Sequence, residues 1–192
     1  MKPLWPVARN RYMQNLHVTA VGNEPTTGRL VGQGIVASVL VFIIILAIAA
    51  FWDPTIRVLH VFEALPYVAV AFLCVRQSKV GYAFGVAGGA LWLWMAWGLT
   101  TFVKNGFQMF ALSIRTHQLH RPDLLIAIPA WASMLALAVL SIWGYSRLAH
   151  KSFRDLVIFI LAFVAITAFY LAIFAAFTPR YLEMYRPVLK LF

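Results

Sequence analysis

The sequence contains few charged residues and almost no cysteine. Charged residues make up 11% of its 192 residues and hydrophobic residues 62%, against about 25% and about 45–50% in an average soluble protein. The single cysteine, Cys74, excludes an intrachain disulfide framework and a zinc site built mainly from thiolates. This composition argues against a soluble domain and indicates an integral membrane protein.

The sequence also lacks the motifs that most often identify an enzyme. It contains no glycine-rich phosphate loop ending in Lys-Ser or Lys-Thr, no Gly-x-Ser-x-Gly and no His-Glu-x-x-His. Acidic residues number six, and Glu63 is the one that falls well inside a predicted span. The sequence therefore does not support phosphoryl or glycosyl transfer that uses two carboxylates. We expect no catalytic residue.

Five stretches are long and apolar enough to cross a bilayer, since a helix of about 20 residues spans a hydrocarbon core about 30 Å thick. Their apolar residues do not alternate with polar ones, which excludes barrel strands. We predict an all-α integral membrane protein with an interfacial N-terminal arm (1–29), a five-helix bundle (30–177) and an interfacial tail (178–192). The predicted spans are residues 30–52, 55–75, 80–103, 123–145 and 155–177.

The connection after the third span is the longest between spans. Phe107, Phe110, Ala111 and Ile114 recur in it at helical spacing, which predicts a helix lying along the membrane surface.

Basic residues exceed acidic ones, with a formal net charge of +10. Sorted by the face on which five spans would place them, nine Lys and Arg lie on the N-terminal side and seven on the other. This bias predicts a cytoplasmic N-terminus in a bacterial-type cytoplasmic (inner) membrane. Because both faces are basic, we expect anionic lipid headgroups as partners and no nucleic acid.

The second span carries three ionisable residues, Arg57, His60 and Glu63, spaced three apart on one helical face. Ionisable groups in a span usually pair with one another or line a pathway. We expect Glu63 to be ion-paired to Arg57 or hydrogen-bonded to His60 in a structural role, and the alternative is a proton or ion relay through the three.

A metal site is a weaker alternative. The start of the second span and the connection after the third lie on the same membrane face, so His60 and Glu63 could meet His117, His120 and Asp123. Imidazole and carboxylate ligands suit Cu, Zn or Fe. A solvated loop explains His117 and His120 as well, so no cofactor is predicted. Haem is disfavoured because His60 is the one histidine within a span.

Four glycines give the third span a flat face: Gly81, Gly85, Gly88 and Gly89. Such spacing lets a second helix approach closely. We expect a packing face within the bundle, with a partner subunit or a second copy of the chain as the alternative. Tryptophans at the far end of this span, including Trp92, are expected to pack in the core or at the lipid boundary, ahead of binding a quinone or another flat ligand.

The sequence therefore predicts a non-catalytic, accessory membrane subunit that packs within a larger complex. The first alternative is a small oligomeric channel or transporter with an Arg57/His60/Glu63 path. The second is a metal-binding redox subunit.

Overall fold

The computed structural model describes residues 24–148 and 152–177, together with Pro179. Within these residues every regular element is helical, and five segments are long and apolar enough to cross a membrane. The prediction of an all-α integral membrane protein with five spans is confirmed. The helices are α1 (Glu24–Trp52), α2 (Arg57–Val75), α3 (Lys79–Trp94), α4 (Phe102–Thr116), α5 (Pro122–Leu125), α6 (Ala127–Ser146) and α7 (Phe153–Phe177). The five segments are Thr27–Trp52, Pro54–Val75, Lys79–Leu99, Pro122–Ser146 and Phe153–Phe177.

Large apolar side chains cover the outside of the bundle. In water this exposed surface would be unfavourable, but in lipid it meets a solvent as apolar as itself. The helical ladder satisfies the backbone polar groups of each span internally, as a hydrocarbon environment requires. Examples from four helices are Leu40, Ile44, Val68, Phe72, Val139 and Leu161.

Helix α3 lies at the centre of the bundle. It packs against α2, α6 and α7, while α1 packs against α2 and α6. Small buried residues along α3, such as Ala83 and Ala87, allow this close approach. The arrangement brings the end of α3 to the end of α1 and the start of α2 at the same membrane face.

The first helix begins at Glu24, six residues before the predicted start of the first span. Pro25 lies in its first turn, where a fixed φ suits the helix and the missing N–H costs nothing. Residues 24–29 of the predicted arm therefore belong to α1. Residues 1–23 of the arm, and all of the tail except Pro179, lie outside the described residues.

The third span ends at Leu99, four residues before its predicted end at residue 103. Its last turn, Met95–Leu99, is π-helical. Thr101 then has a φ of 54°, a left-handed conformation that cannot continue a right-handed helix. The chain turns at this point and starts α4.

Helix α4 occupies the connection for which a surface helix was predicted. Val103 and Gly106 are buried on one face, and Phe110 and Ile114 are exposed on another. The helix ends at Thr116, followed by His117 with a φ of 54°. Helix α4 thus covers the end of the bundle beside the cavity described below.

Candidate functional site

The polar centre of the bundle lies in the first two turns of α2. His60 and Glu63 are three residues apart and share one face of the helix. His60 Nδ1 lies 2.9 Å from Glu63 Oε2, and the Trp92 indole Nε1 donates to Glu63 Oε1 at 3.1 Å. Glu63 is only 7% exposed. A carboxylate is therefore buried within a span, and each of its oxygens has a hydrogen-bond partner.

Arg57 does not join this group. Its side chain is exposed, and its Nε donates to the backbone carbonyl of Ala50 at 3.4 Å. Of the two partners expected for Glu63, the structure places His60 beside it and Arg57 at the C-terminal end of α1. Of the three residues considered as an alternative relay, His60 and Glu63 are in contact, and Arg57 instead contacts α1.

A cavity of about 480 Å³ lies beside Glu63, among the ends of the helices at this membrane face. Its walls are mostly apolar, with His60, Glu63 and Trp92 forming the deeper polar part. The main apolar lining residues are Phe42, Ile45, Leu46, Ile56, Leu59, Met95, Leu99, Ile126, Ala130 and Phe174. The cavity thus combines an apolar lining with one buried carboxylate.

Polar residues mark the mouth of this cavity. Asp53 accepts hydrogen bonds from Thr55, at 3.0 Å from its backbone N–H and 2.6 Å from its hydroxyl. Asp123, whose side chain is 41% exposed, accepts from Arg121 Nη2 at 2.7 Å. This hydrogen bond raises the pKa of the Arg121 guanidinium. Asn105 also lines the mouth. The more exposed part of the lining therefore includes polar residues, while Glu63 lies among mostly apolar ones.

A pair of hydrogen-bonded tyrosines lies next to the cavity, outside its lining residues. The Tyr67 hydroxyl lies 2.7 Å from that of Tyr170 and donates to the Gly88 carbonyl at 3.3 Å. Tyr67 is 1% exposed and Tyr170 2%. The ring of Phe42, which lines the cavity, packs edge-on against Tyr67 with centroids 5.0 Å apart. Phe42 therefore connects the lining of the cavity to this buried tyrosine pair.

Within the described residues, the structure does not bring together the candidate metal ligands considered as an alternative. Asp123 lines the same cavity as His60 and Glu63, but His117 and His120 do not. His120 Nε2 instead lies 2.8 Å from the Thr116 hydroxyl. Across residues 24–148 and 152–177, no three His, Cys, Asp or Glu side chains come close enough to hold a metal ion. His117, which follows the last residue of α4, has a left-handed conformation, and the chain changes direction there before it reaches His120.

The four glycines of α3 face other helices of the same chain. A Cβ atom added at Gly81 would lie 2.6 Å from Leu73 Cβ, and one at Gly89 would lie 3.0 Å from Ala138 Cβ. Added Cβ atoms at Gly85 and Gly88 would meet side chains of α6 and α2 respectively. This face is occupied within the bundle, so it is not available to a partner subunit.

Sequence reasoning missed two parts of the site. Tyr67 lies four residues after Glu63 on α2, so the helical period could have placed it below the carboxylate. The contact of Tyr67 with Tyr170 joins residues 103 positions apart and leaves no signal in the sequence. The sequence also did not indicate that Trp92 donates a hydrogen bond to Glu63, because it suggested packing first and a flat ligand as the alternative.

Comparison with known proteins adds no relative: no family model, no curated protein and no solved structure matches this chain.

Proposed function

We propose that this chain is a small-molecule-binding protein of the membrane, which takes its ligand into the cavity beside Glu63. One observation carries the proposal: a buried carboxylate, held by an indole and an imidazole, lines a mostly apolar cavity of about 480 Å³. Burying an ionisable group in a span is costly, and such groups usually mark functional sites. The cavity volume lies within the range of about 300–1,000 Å³ typical of ligand pockets.

The proposal modifies the channel or transporter that the sequence offered as the first alternative. Glu63 and His60 remain in the site, but Arg57 lies outside it. Tyr67, one helical turn after Glu63, is buried and hydrogen-bonded to Tyr170, which favours a binding site over an open pore along this face of α2.

The experiment that tests this function measures access to the cavity by cysteine labelling. Ala130 lines the cavity, whereas the native Cys74 is buried at the other end of α2 and is not among the lining residues. The Ala130→Cys variant in lipid nanodiscs is treated with methyl methanethiosulfonate, a small neutral thiol reagent. Mass spectrometry of the peptide that contains position 130 and of the peptide that contains Cys74 then gives the labelling rate of each cysteine.

We expect the cysteine introduced at position 130 to react at least about tenfold faster than Cys74, since thiol reactivity follows access to the sulfur. Ala96→Cys, in another wall of the cavity, should behave in the same way, and Ala87→Cys, buried between helices, should behave like Cys74. If the cysteines at positions 96 and 130 react no faster than Cys74, the cavity is closed to small molecules and the proposal is wrong.

The accessory-subunit role expected from the sequence is our second proposal, and α4 supports it. This helix leaves Phe110, Leu112 and Ile114 exposed at the membrane face, on a segment that also carries Lys104 and Arg115. Such a surface suits anionic headgroups or a neighbouring subunit. Copurification of a stoichiometric membrane partner in mild detergent would support this role, and recovery of the chain as a lone monomer would count against it.

We also propose a bacterial-type cytoplasmic membrane with the N-terminus in the cytoplasm. The support is the distribution of basic residues, nine on the N-terminal side against seven. In this orientation the cavity faces away from the cytoplasm. Reporter fusions at the two termini should then report opposite sides, with the N-terminal reporter in the cytoplasm.

A further inference from the structure

The charges lining the cavity are opposite in sign to the charge of the chain. The sequence has 16 Lys and Arg and only 6 Asp and Glu. Three of those six acidic residues, Asp53, Glu63 and Asp123, line the cavity, and no Lys or Arg is among its lining residues in the described part of the chain. A ligand in this cavity therefore meets carboxylates and no fixed cation.

Glu63 dominates the interior charge. Asp123 is paired with Arg121 at the mouth, and Asp53 caps a turn there. Glu63 lies deeper, and within the described residues its ion-pair partner is His60, which is charged only when protonated. A buried carboxylate without a strong cationic partner gains from a cation placed beside it.

His60 supplies a second unfilled contact. Its Nδ1 is engaged with Glu63, while its Nε2 is buried and has no hydrogen-bond partner within the described residues. An unpaired buried nitrogen is unfavourable. A protonated amine would satisfy this atom together with Glu63, whereas a quaternary ammonium, which has no N–H, would engage Glu63 and the aromatic walls alone.

Aromatic rings form much of the remaining wall. Those lining the cavity are Phe42, Trp52, Trp92, Phe102 and Phe174. Aromatic faces attract cations and favour quaternary or protonated amines in particular. Aromatic faces do not attract anions in this way. A bare metal ion would need several polar ligands, and the described residues contain no such group.

We propose that the cavity binds a hydrophobic organic cation, an amine in its protonated or quaternary form. Its charged nitrogen lies at Glu63, and its apolar body lies along the aromatic and aliphatic walls. This inference rests on the proposed function, because it names the ligand class of the same cavity.

The test compares three compounds of similar size and different charge: phenyltrimethylammonium, its neutral isostere tert-butylbenzene, and benzenesulfonate. Each is titrated as a protectant of the Ala130→Cys variant against methyl methanethiosulfonate. We expect the cation to slow labelling of the cysteine at position 130 at the lowest concentration. The isostere should protect more weakly, and the sulfonate should not protect.

Glu63→Gln in the same variant isolates the charge, because glutamine keeps the size and one oxygen acceptor. It should weaken protection by the cation about tenfold or more, as expected for the loss of one charge-assisted contact, and leave protection by the isostere unchanged. Glu24→Gln, at the opposite membrane face, should leave all three titrations unchanged. Matching elution on size exclusion confirms that each variant is folded.

The outcomes separate this inference from the function on which it rests. If the neutral compound protects as well as the cation, or if Glu63→Gln does not weaken protection by the cation, the cavity binds ligands without charge selection and the inference is wrong. Loss of rapid labelling at position 130 without any compound would overturn the proposed function itself.

Discussion

Glu63 is the residue on which the site depends. Its side chain is buried, and its two oxygens accept from Trp92 and contact His60. A buried polar group is stable only while its partners remain, because an unpaired group keeps the cost of desolvation without the gain of a hydrogen bond. We therefore expect that removing one donor to Glu63 lowers the stability of the fold by more than the net value of one hydrogen bond, because a buried oxygen is left unpaired.

The first prediction at this scale concerns Trp92→Phe. The change keeps an aromatic ring against Phe42 but removes the N–H that donates to Glu63 at 3.1 Å. We expect the free energy of unfolding to fall by about 1–3 kcal/mol, the usual cost of an unsatisfied buried acceptor. Thermal or denaturant unfolding in a fixed detergent measures this change.

Trp97→Phe is the matched control, because Trp97 is 45% exposed and its ring packs against Phe107. This control should change stability by less than about 0.5 kcal/mol. The hydrogen bond is tested by repeating Trp92→Phe in the Glu63→Gln background, where the loss should be smaller because the charged acceptor is gone. Equal losses in both backgrounds would show that Trp92 contributes packing alone.

Among the helices, α3 is packed closely against three others. It packs against α2, α6 and α7 through glycines and alanines, so its axis lies closer to its neighbours than larger side chains would permit. In lipid, packing at this distance replaces the hydrophobic force that associates helices in water. Because Trp92 lies on α3, the position of this helix also sets the hydrogen bond to Glu63.

The prediction for this element is that Gly81→Ala is strongly destabilising. Its new Cβ would lie 2.6 Å from Leu73 Cβ and 2.8 Å from the Leu73 backbone carbon, and backbone cannot move cheaply. We expect a loss of about 1–3 kcal/mol, as for other overpacked sites, measured by unfolding in detergent.

Gly98→Ala is the control for this prediction. The nearest atom to its added Cβ is 3.9 Å away, an ordinary contact. This change should be neutral or stabilise the chain by up to about 1 kcal/mol, because alanine favours a helix more than glycine does. If the Gly81→Ala variant is as stable as the Gly98→Ala variant, close contact between α2 and α3 is not needed for stability.

In the molecule as a whole, the two membrane faces are built differently. At one face, three acidic residues line the cavity. At the opposite face, an acidic residue forms an ion pair with a lysine. There Lys79 Nζ lies 2.9 and 3.0 Å from the two oxygens of Asp155, and the Ser152 N–H donates to Asp155 at 2.9 Å. These contacts tie the start of α7 to the start of α3. One end is therefore fixed, and the other has room for a ligand.

The prediction at this scale is that Asp155→Asn lowers the midpoint of thermal unfolding. Asp155 is 4% exposed, so losing its charge removes a buried ionic contact with Lys79. Asp123→Asn, on a side chain that is 41% exposed, should lower the midpoint less. The two substitutions are compared in one detergent at one pH. Equal midpoints for the two variants would contradict a structural role for the Lys79 pair.

Several features could be predicted from the sequence because they depend on neighbouring residues alone. The five spans follow from the length of each apolar run, and the His60 and Glu63 contact follows from their spacing on one helix. The early end of the third span was missed. It depends on the left-handed conformation of Thr101, which composition does not reveal.

The sequence alone determined that this chain is a multi-pass membrane protein with a carboxylate and an imidazole in one span. Tertiary structure alone decided which groups meet that carboxylate: Trp92 joined Glu63, Arg57 stayed apart, and the glycines of α3 packed inward. The physical reason is that hydropathy and helical period act within one segment. Side-chain contacts between spans depend instead on the distance and rotation at which whole helices pack.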